Sequence, residues 1–476
     1  MKTFLQRLFG GATGSVAANT VTPATASKAD EAAARRPDAA PAKADTIARK
    51  AQASAALLGV STRRPLISTG GDVAGFEFRI SEDILRRLRH ASEHKAQAAY
   101  VLAVQTSARM VQQSGRVGFV RLPTDWFIHA MGNNEDAGIF VGLEPPSNDK
   151  PEPGYLQAVA QAIVRMRAVG VKVGWDVSSA TMGRSVTGMM PDFLLLPQGA
   201  EPMTSRVEAI KNLPVAQAGQ PIFATDISSV EDLEEALHQG VHYVCGELAP
   251  MGTVVNAREL RPVPPEVRRI GHLLKQLVTG AETAVIAEEI KGDVGLSFRL
   301  LRLINSASFA QLHAGASIEQ AVMVLGRNEL YRWLSIMMMQ YAGQRKASSA
   351  LQEVALWRSR LLELLAIERK QEAPGQFFTL GLASMLGFIL KVDLLEVIDT
   401  LNLPEPARQA LLEQSGPWYD YLRVSALLET QSLDQAGALA EPFGGIERIA
   451  ALSDAAWIWA AEHADRKGGR WENQVE

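Results

Sequence analysis

Seven short apolar runs alternating with helical segments constrain this 476-residue chain more than any other feature. The runs are GFEFRI, VGFVRLP, GIFVGLE, VKVGWDVS, DFLLLPQ, PIFATDI and HYVCGEL. Their length and their content of Val, Ile and Phe make them strands. Between them PGYLQAVAQAIVRMRAVG, MTSRVEAIKNL and SSVEDLEEALHQG have helical spacing. Such alternation implies parallel strands joined by crossover helices. Seven strands in roughly 200 residues favour a closed, TIM-like α/β barrel over an open sheet, and chemistry in such barrels sits at the C-terminal strand ends.

From 259 the pattern becomes helical. Leu296, Leu300, Leu303, Ile304 and Ala307 share one helix face, with Asp293 placed to cap it and Arg299 and Arg302 pointing elsewhere. Ser317 and Gln320 form a capping box opening a helix that carries Ile318, Ala321, Val322 and Leu325 on one side and stops at Gly326. Leu330, Trp333, Leu334, Met337, Met338 and Tyr341 continue the period, with the methionine run on the core face. An all-α bundle over 259–465 is the consequence.

Composition narrows the function classes. A net charge of −4 and a pI near 6.1 give no global attraction to a nucleic-acid polymer. The lone Cys245 excludes an internal disulfide framework and fits a reducing cytoplasm. No apolar run is long enough to span a membrane, and MKTFLQRLFGG is too short and interrupted for a secretory signal, although Phe4, Leu5, Leu8 and Phe9 could touch an interface weakly. Residues 1–60, rich in Ala, Thr, Ser, Pro and Lys, read as a disordered leader, and 466–476 as a tail. His90, His94, His129, His238, His242, His272, His313 and His463 are scattered, without the local clustering a metal site needs.

The stretch EEIKGDVGLSFRLLRLINSASF, followed by SIEQAVMVLGRNEL, resembles an HDOD domain, a helical relative of HD-type phosphohydrolases. The half over 61–258 resembles an EAL domain, the bacterial barrel that hydrolyses cyclic di-GMP; FATDISSVEDLEEALHQGVHYVCGEL carries the likeness best. The order EAL-like then HDOD is that of bacterial signalling proteins.

The resemblance also says which chemistry is missing. Phosphodiester hydrolysis in such a barrel needs carboxylates converging on two divalent cations that activate water. Matched position by position, Glu77 stands at the signature glutamate and Glu144 and Asp176 at further ligands. Trp175 replaces the first aspartate of a pair, and Arg121 replaces an asparagine ligand, placing fixed positive charge where a cation should sit. Leu195 stands at the catalytic lysine, and Thr225 and Ser228 at two glutamates; Asp226 is one residue out of step, so its side chain is expected on the opposite strand face. Glu77, Glu144 and Asp176 are then either a remnant paired with Arg121 and Arg79, or the lining of a pocket that still takes a nucleotide or a partner. In the helical half, Ser359 stands at the first metal-binding histidine of HD hydrolases, and Ser384 and Met385 at the His-Asp pair.

The expectation is therefore a non-catalytic cytoplasmic signal-transduction adaptor, needing no cofactor. Its partners would be other signalling proteins: a response regulator, a kinase or a cyclic di-GMP enzyme. A cyclic di-GMP receptor that binds without cleaving is the first alternative, and a residual phosphodiesterase the second.

Overall fold

A computed structural model describes residues 61–80, 93–130, 132, 134–146, 153–176, 189–197, 199, 201–213, 219–248, 260–304, 317–339, 341 and 347–464. The leader 1–60, the tail 466–476, His90, His313 and Ala307 lie outside them, as do the side chains of His94 and Arg302.

All seven expected strands are present, with an eighth before them. They are β1 (Ser61–Ser68), β2 (Val73–Ile80), β3 (Val117–Pro123), β4 (Phe140–Glu144), β5 (Lys172–Trp175), β6 (Leu194–Leu195), β7 (Ile222–Ile227) and β8 (Tyr243–Gly246). They close into a barrel in sequence order. The departure from expectation is β1, which runs antiparallel to both neighbours, β2 and β8, whereas β2 to β8 are parallel. A tight turn through Gly71 (φ 82°) joins β1 to β2, so this connection carries no crossover helix.

Helices α1 (Glu93–Gln113), α2 (Pro153–Ala168), α3 (Met203–Lys211) and α4 (Val230–His238) lie between later strands. Ser229 caps α4 by accepting from the Asp232 N–H. Alternate strand residues face two cores. Val120, Leu122, Val141, Leu143, Val173 and Leu194 belong to the outer one, beneath the helices. Leu66, Phe119, Phe193, Leu195, Phe223 and Cys245 form an inner one, with Phe140 and Tyr243 against it. Phe223 lies 4.5 Å from Phe193 and 4.7 Å from Tyr243 between ring centroids, so the barrel interior is a solid aromatic plug.

The second half is helical: α5 (Pro265–Val278), α6 (Thr283–Lys291), α7 (Val294–Ile304), α8 (Ile318–Met339), α9 (Ser348–Glu368), α10 (Pro374–Leu390), α11 (Leu394–Leu401), α12 (Tyr419–Glu429) and α13 (Ile446–Ala464). Asp293 caps α7 through the Leu296 N–H at 3.0 Å. Ser317 and Gln320 make both bonds of a capping box, 2.9 and 3.3 Å. Gly326, at φ 69°, breaks α8 internally. The described barrel and helices belong to one compact unit.

They meet at the outer face of β1 and β2. Phe76 packs edge-on against Trp457 (4.9 Å), which stacks on Trp357 (4.9 Å, 15°). The Arg63 and Arg116 guanidiniums lie 5.0 and 5.5 Å from the Phe76 ring centre and pair with Asp454 and Glu353 of the bundle.

Candidate functional site at the barrel mouth

Antiparallel pairing sets Arg64 directly opposite Glu77, both facing the barrel interior above the aromatic plug. Glu77 is completely buried. Its Oε2 accepts from Arg64 Nε (3.0 Å) and Nη2 (2.6 Å), and its Oε1 accepts from Arg121 Nε (2.7 Å). Arg79 Nε stands 3.5 Å from the same carboxylate, and the Cys245 thiol donates to it from below at 3.5 Å.

Asp226 joins this network, contrary to the sequence expectation. Strict alternation would turn it outward, because Thr225 faces inward, where Arg121 Nη1 donates to its Oγ1 at 3.3 Å. Instead Asp226 takes a left-handed backbone (φ 57°) and the β7–β8 register shifts between Ala224 and Ile227. Asp is among the few residues that adopt this conformation at modest cost. The bulge turns its carboxylate into the mouth, 2.7 Å from Arg64 Nη2, 2.6 Å from Arg121 Nη1 and 3.2 Å from Arg79 Nη2. Three guanidiniums thus clamp two carboxylates, and the charge-assisted forks satisfy both acids.

Electrostatics follow from that geometry. Burial alone would push the Glu77 carboxyl up; Arg64 and Arg121 overcome it and hold it at about 2. Asp226 is likewise drawn below its ordinary value by Arg121 and Arg64, against the effect of burial. Burial raises Glu144, at the end of β4, and raises the Cys245 thiol well above its usual value.

The other expected positions are spread more widely. Asp176 follows β5 and is half-buried; Ser228 is exposed; Leu195 belongs to the inner plug. Trp175 is not a mouth residue. It pairs in register with Leu143 and Leu194 and packs in the strand-helix layer, so it replaces no ligand facing the site. The inward position on that strand is Gly174, two residues before Asp176. Reading along the sequence missed Arg64, whose signal was the alternation Thr62, Arg64, Leu66 opposite Glu77.

The residues present do not fit a divalent cation at the mouth, because the buried carboxylate is already bound by two arginines. Among the described residues, no three His, Cys, Asp or Glu side chains gather into a group that could hold a metal. The helical half has a parallel arrangement. Ser359 is buried and donates back to the Ala355 carbonyl (2.7 Å), and Ser384 donates to Gly381 O (2.7 Å). Arg358 reaches Ser384 Oγ (3.1 Å) and forks onto Glu429 at 2.8 and 2.7 Å. A Cβ built on Gly381 would stand 2.6 Å from Ser359 Cα, so α9 and α10 touch backbone to backbone beside Ser359.

Residues 260–398 match the HDOD domain model. Among curated proteins, the chain is 30% identical over 156 residues to YuxH of Bacillus subtilis, covering 32% of this chain and 38% of that protein. It is 25% identical over 206 residues to CdgJ of Vibrio cholerae, named a cyclic di-GMP phosphodiesterase, covering 43% and 47%. The matches thus span less than half the length of either relative. Similar solved structures include the EAL domain of Xanthomonas citri FimX in complex with c-diGMP (TM-score 0.31, 15% identity, 43% of this chain and 93% of that one). An EAL domain protein of Listeria monocytogenes is another (TM-score 0.29, 14% identity, 41% and 90%).

Proposed function

We propose that this chain is a non-catalytic signalling adaptor, with an EAL-like barrel over 61–258 and an HDOD helical domain over 259–465 through which other signalling proteins are bound. The observation that carries this reading is Arg121. Its guanidinium stands inside the mouth, bonded to Glu77, Thr225 and Asp226, where hydrolysis would need a metal-bound water. Glu77, held as a carboxylate by two arginines, acts as a structural anion whose oxygens accept from guanidiniums. The partners this reading expects are response regulators, kinases and cyclic di-GMP enzymes.

The test is turnover of cyclic di-GMP by the full chain with millimolar Mg²⁺ or Mn²⁺, beside an Arg121→Asn variant. No linear dinucleotide from either is the expected result. Metal-dependent product from the unmodified chain would refute the reading.

A second reading, receptor without hydrolysis, is favoured by Arg79, the most exposed of the three mouth arginines, which an incoming phosphodiester would reach first by exchanging with Asp226. Calorimetry with cyclic di-GMP separates the two: saturable heat supports the receptor, none leaves the adaptor.

A further inference from the structure

We propose that the barrel mouth is a phosphate-type oxyanion site kept closed by Asp226, which occupies the arginine forks as an internal substitute for the ligand. This deepens the receptor reading by assigning its regulation, and it holds whether or not cyclic di-GMP is the ligand.

Three observations converge. First, the donors are already assembled. Arg64 and Arg121 are more than nine-tenths buried, held from behind by Glu77, so their remaining N–H groups point at one place without further ordering. Second, that place is filled by the carboxylate of Asp226, which takes bonds from Arg64, Arg79 and Arg121 together. Planar forks of this kind receive carboxylate and phosphate oxygens alike. Third, Asp226 is the removable member. Its side chain is 28% exposed against none for Glu77, and it reaches inward only because its backbone is left-handed at a bulge. Returning that residue to the extended conformation would swing the carboxylate out of the forks.

With Asp226 swung out, the three guanidiniums keep Glu77 behind them, and Arg121 also feels the Glu144 carboxyl. An incoming anion meets Arg79 first, at 31% exposure, then the two buried forks. A tetrahedral phosphate group spreads its oxygens in three dimensions toward all three arginines, whereas a planar monocarboxylate only matches what Asp226 supplies. The preference for phosphate chemistry follows. A bound anion and a seated Asp226 exclude each other, so occupancy at the mouth is reported by the backbone of β7.

Calorimetry of the full chain with inorganic phosphate tests this in the unmodified protein and in Asp226→Asn, with acetate as the control anion. Asn tolerates the left-handed conformation, so the bulge is kept while the competing charge is removed. The expected result is phosphate binding at least tenfold tighter in Asp226→Asn, and its loss when Arg79→Ala is added. Equal phosphate affinity in both proteins, or an acetate gain as large as the phosphate gain, would overturn the proposal. Should Asp226→Asn lose its cooperative melt, the unmodified chain still decides. Phosphate should raise its melting temperature more than chloride of equal ionic strength, and this excess should vanish in Arg79→Ala; no excess refutes the site. A phosphate response without any response to cyclic di-GMP keeps the Asp226 cap and removes the receptor reading.

Discussion

Glu77→Gln measures how much the fold relies on ions in the barrel mouth. The carboxyl has no contact with solvent and stands at about 2, against 4.5 for an ordinary glutamate. Each decade of proton affinity is worth 1.36 kcal/mol, so ionised Glu77 stabilises the folded state by roughly 3 kcal/mol at neutral pH. Gln keeps the shape but leaves Arg64 and Arg121 to share the Asp226 carboxylate, with their buried inner faces unpaired, which puts the expected loss at about 3 kcal/mol. The depressed value also fixes the pH window. The contribution is complete above the unfolded-state value near 4.5 and is lost as pH falls from there through about 2, where the folded-state carboxyl is protonated. Urea unfolding followed by tryptophan fluorescence should therefore show a wide gap between the two proteins at pH 7. That gap should narrow steadily between about pH 5 and pH 2. A gap under about 1 kcal/mol at pH 7, or one that stays constant on acidification, would refute the view that paired charge holds Glu77 in place.

Three further substitutions probe the helical half and its seam with the barrel. Gly381→Ala puts a methyl 2.6 Å from Ser359 Cα and should destabilise by about 1–3 kcal/mol, read as a lower urea midpoint; an unchanged midpoint would mean that α9 and α10 separate freely. Trp457→Ala removes the ring that touches both Phe76 and Trp357 and should cost about 3–5 kcal/mol, with faster proteolysis between barrel and bundle; unaltered proteolysis would show that the seam is held elsewhere. Ser317→Ala breaks one bond of an exposed capping box and should cost about 1 kcal/mol without altering the seam, as judged by the same proteolysis assay.

Local signals in the sequence were read correctly where the physics is local. The Ser317–Gln320 box, the Asp293 cap and the break at Gly326 each depend on residues within one turn, and each is found where the spacing put it. The parallel strands were visible because each is short and dense in branched or aromatic residues. β1 was not, because Thr62, Arg63 and Arg64 interrupt its apolar character; those residues serve sites that exist only after folding, at the mouth and at the bundle. Asp226 was placed on the wrong face because strand period assumes an unbroken ladder, and a non-glycine bulge leaves no mark in composition. Trp175 falls at a ligand position when the chain is matched residue by residue, whereas the register puts its side chain under the helices. Ser359 and Gly381, by contrast, carry a second meaning: small residues at those positions are what the close crossing of α9 and α10 requires.

The antiparallel first strand explains why barrel and bundle share one compact unit. In an ordinary parallel barrel each strand is followed by a helix that covers its outer face. β1 returns straight into β2 through the turn at Gly71, so no helix of the connection covers Arg63, Pro65 or Phe76. The bundle supplies that cover. Val354, Trp357 and Trp457 line a small cavity with Arg63 and Pro65, and the Ala350 N–H donates to the Gly71 carbonyl at 2.9 Å, closing the turn itself. The same two strands then divide their residues by parity, Arg63 and Phe76 to the bundle, Arg64 and Glu77 to the mouth. A barrel cut free of residues 348–464 would expose the seam around Phe76 and leave Arg63 and Arg116 without Asp454 and Glu353. The helical half is thus the missing outer layer of the barrel, and the wall it covers is the wall that holds the arginine network.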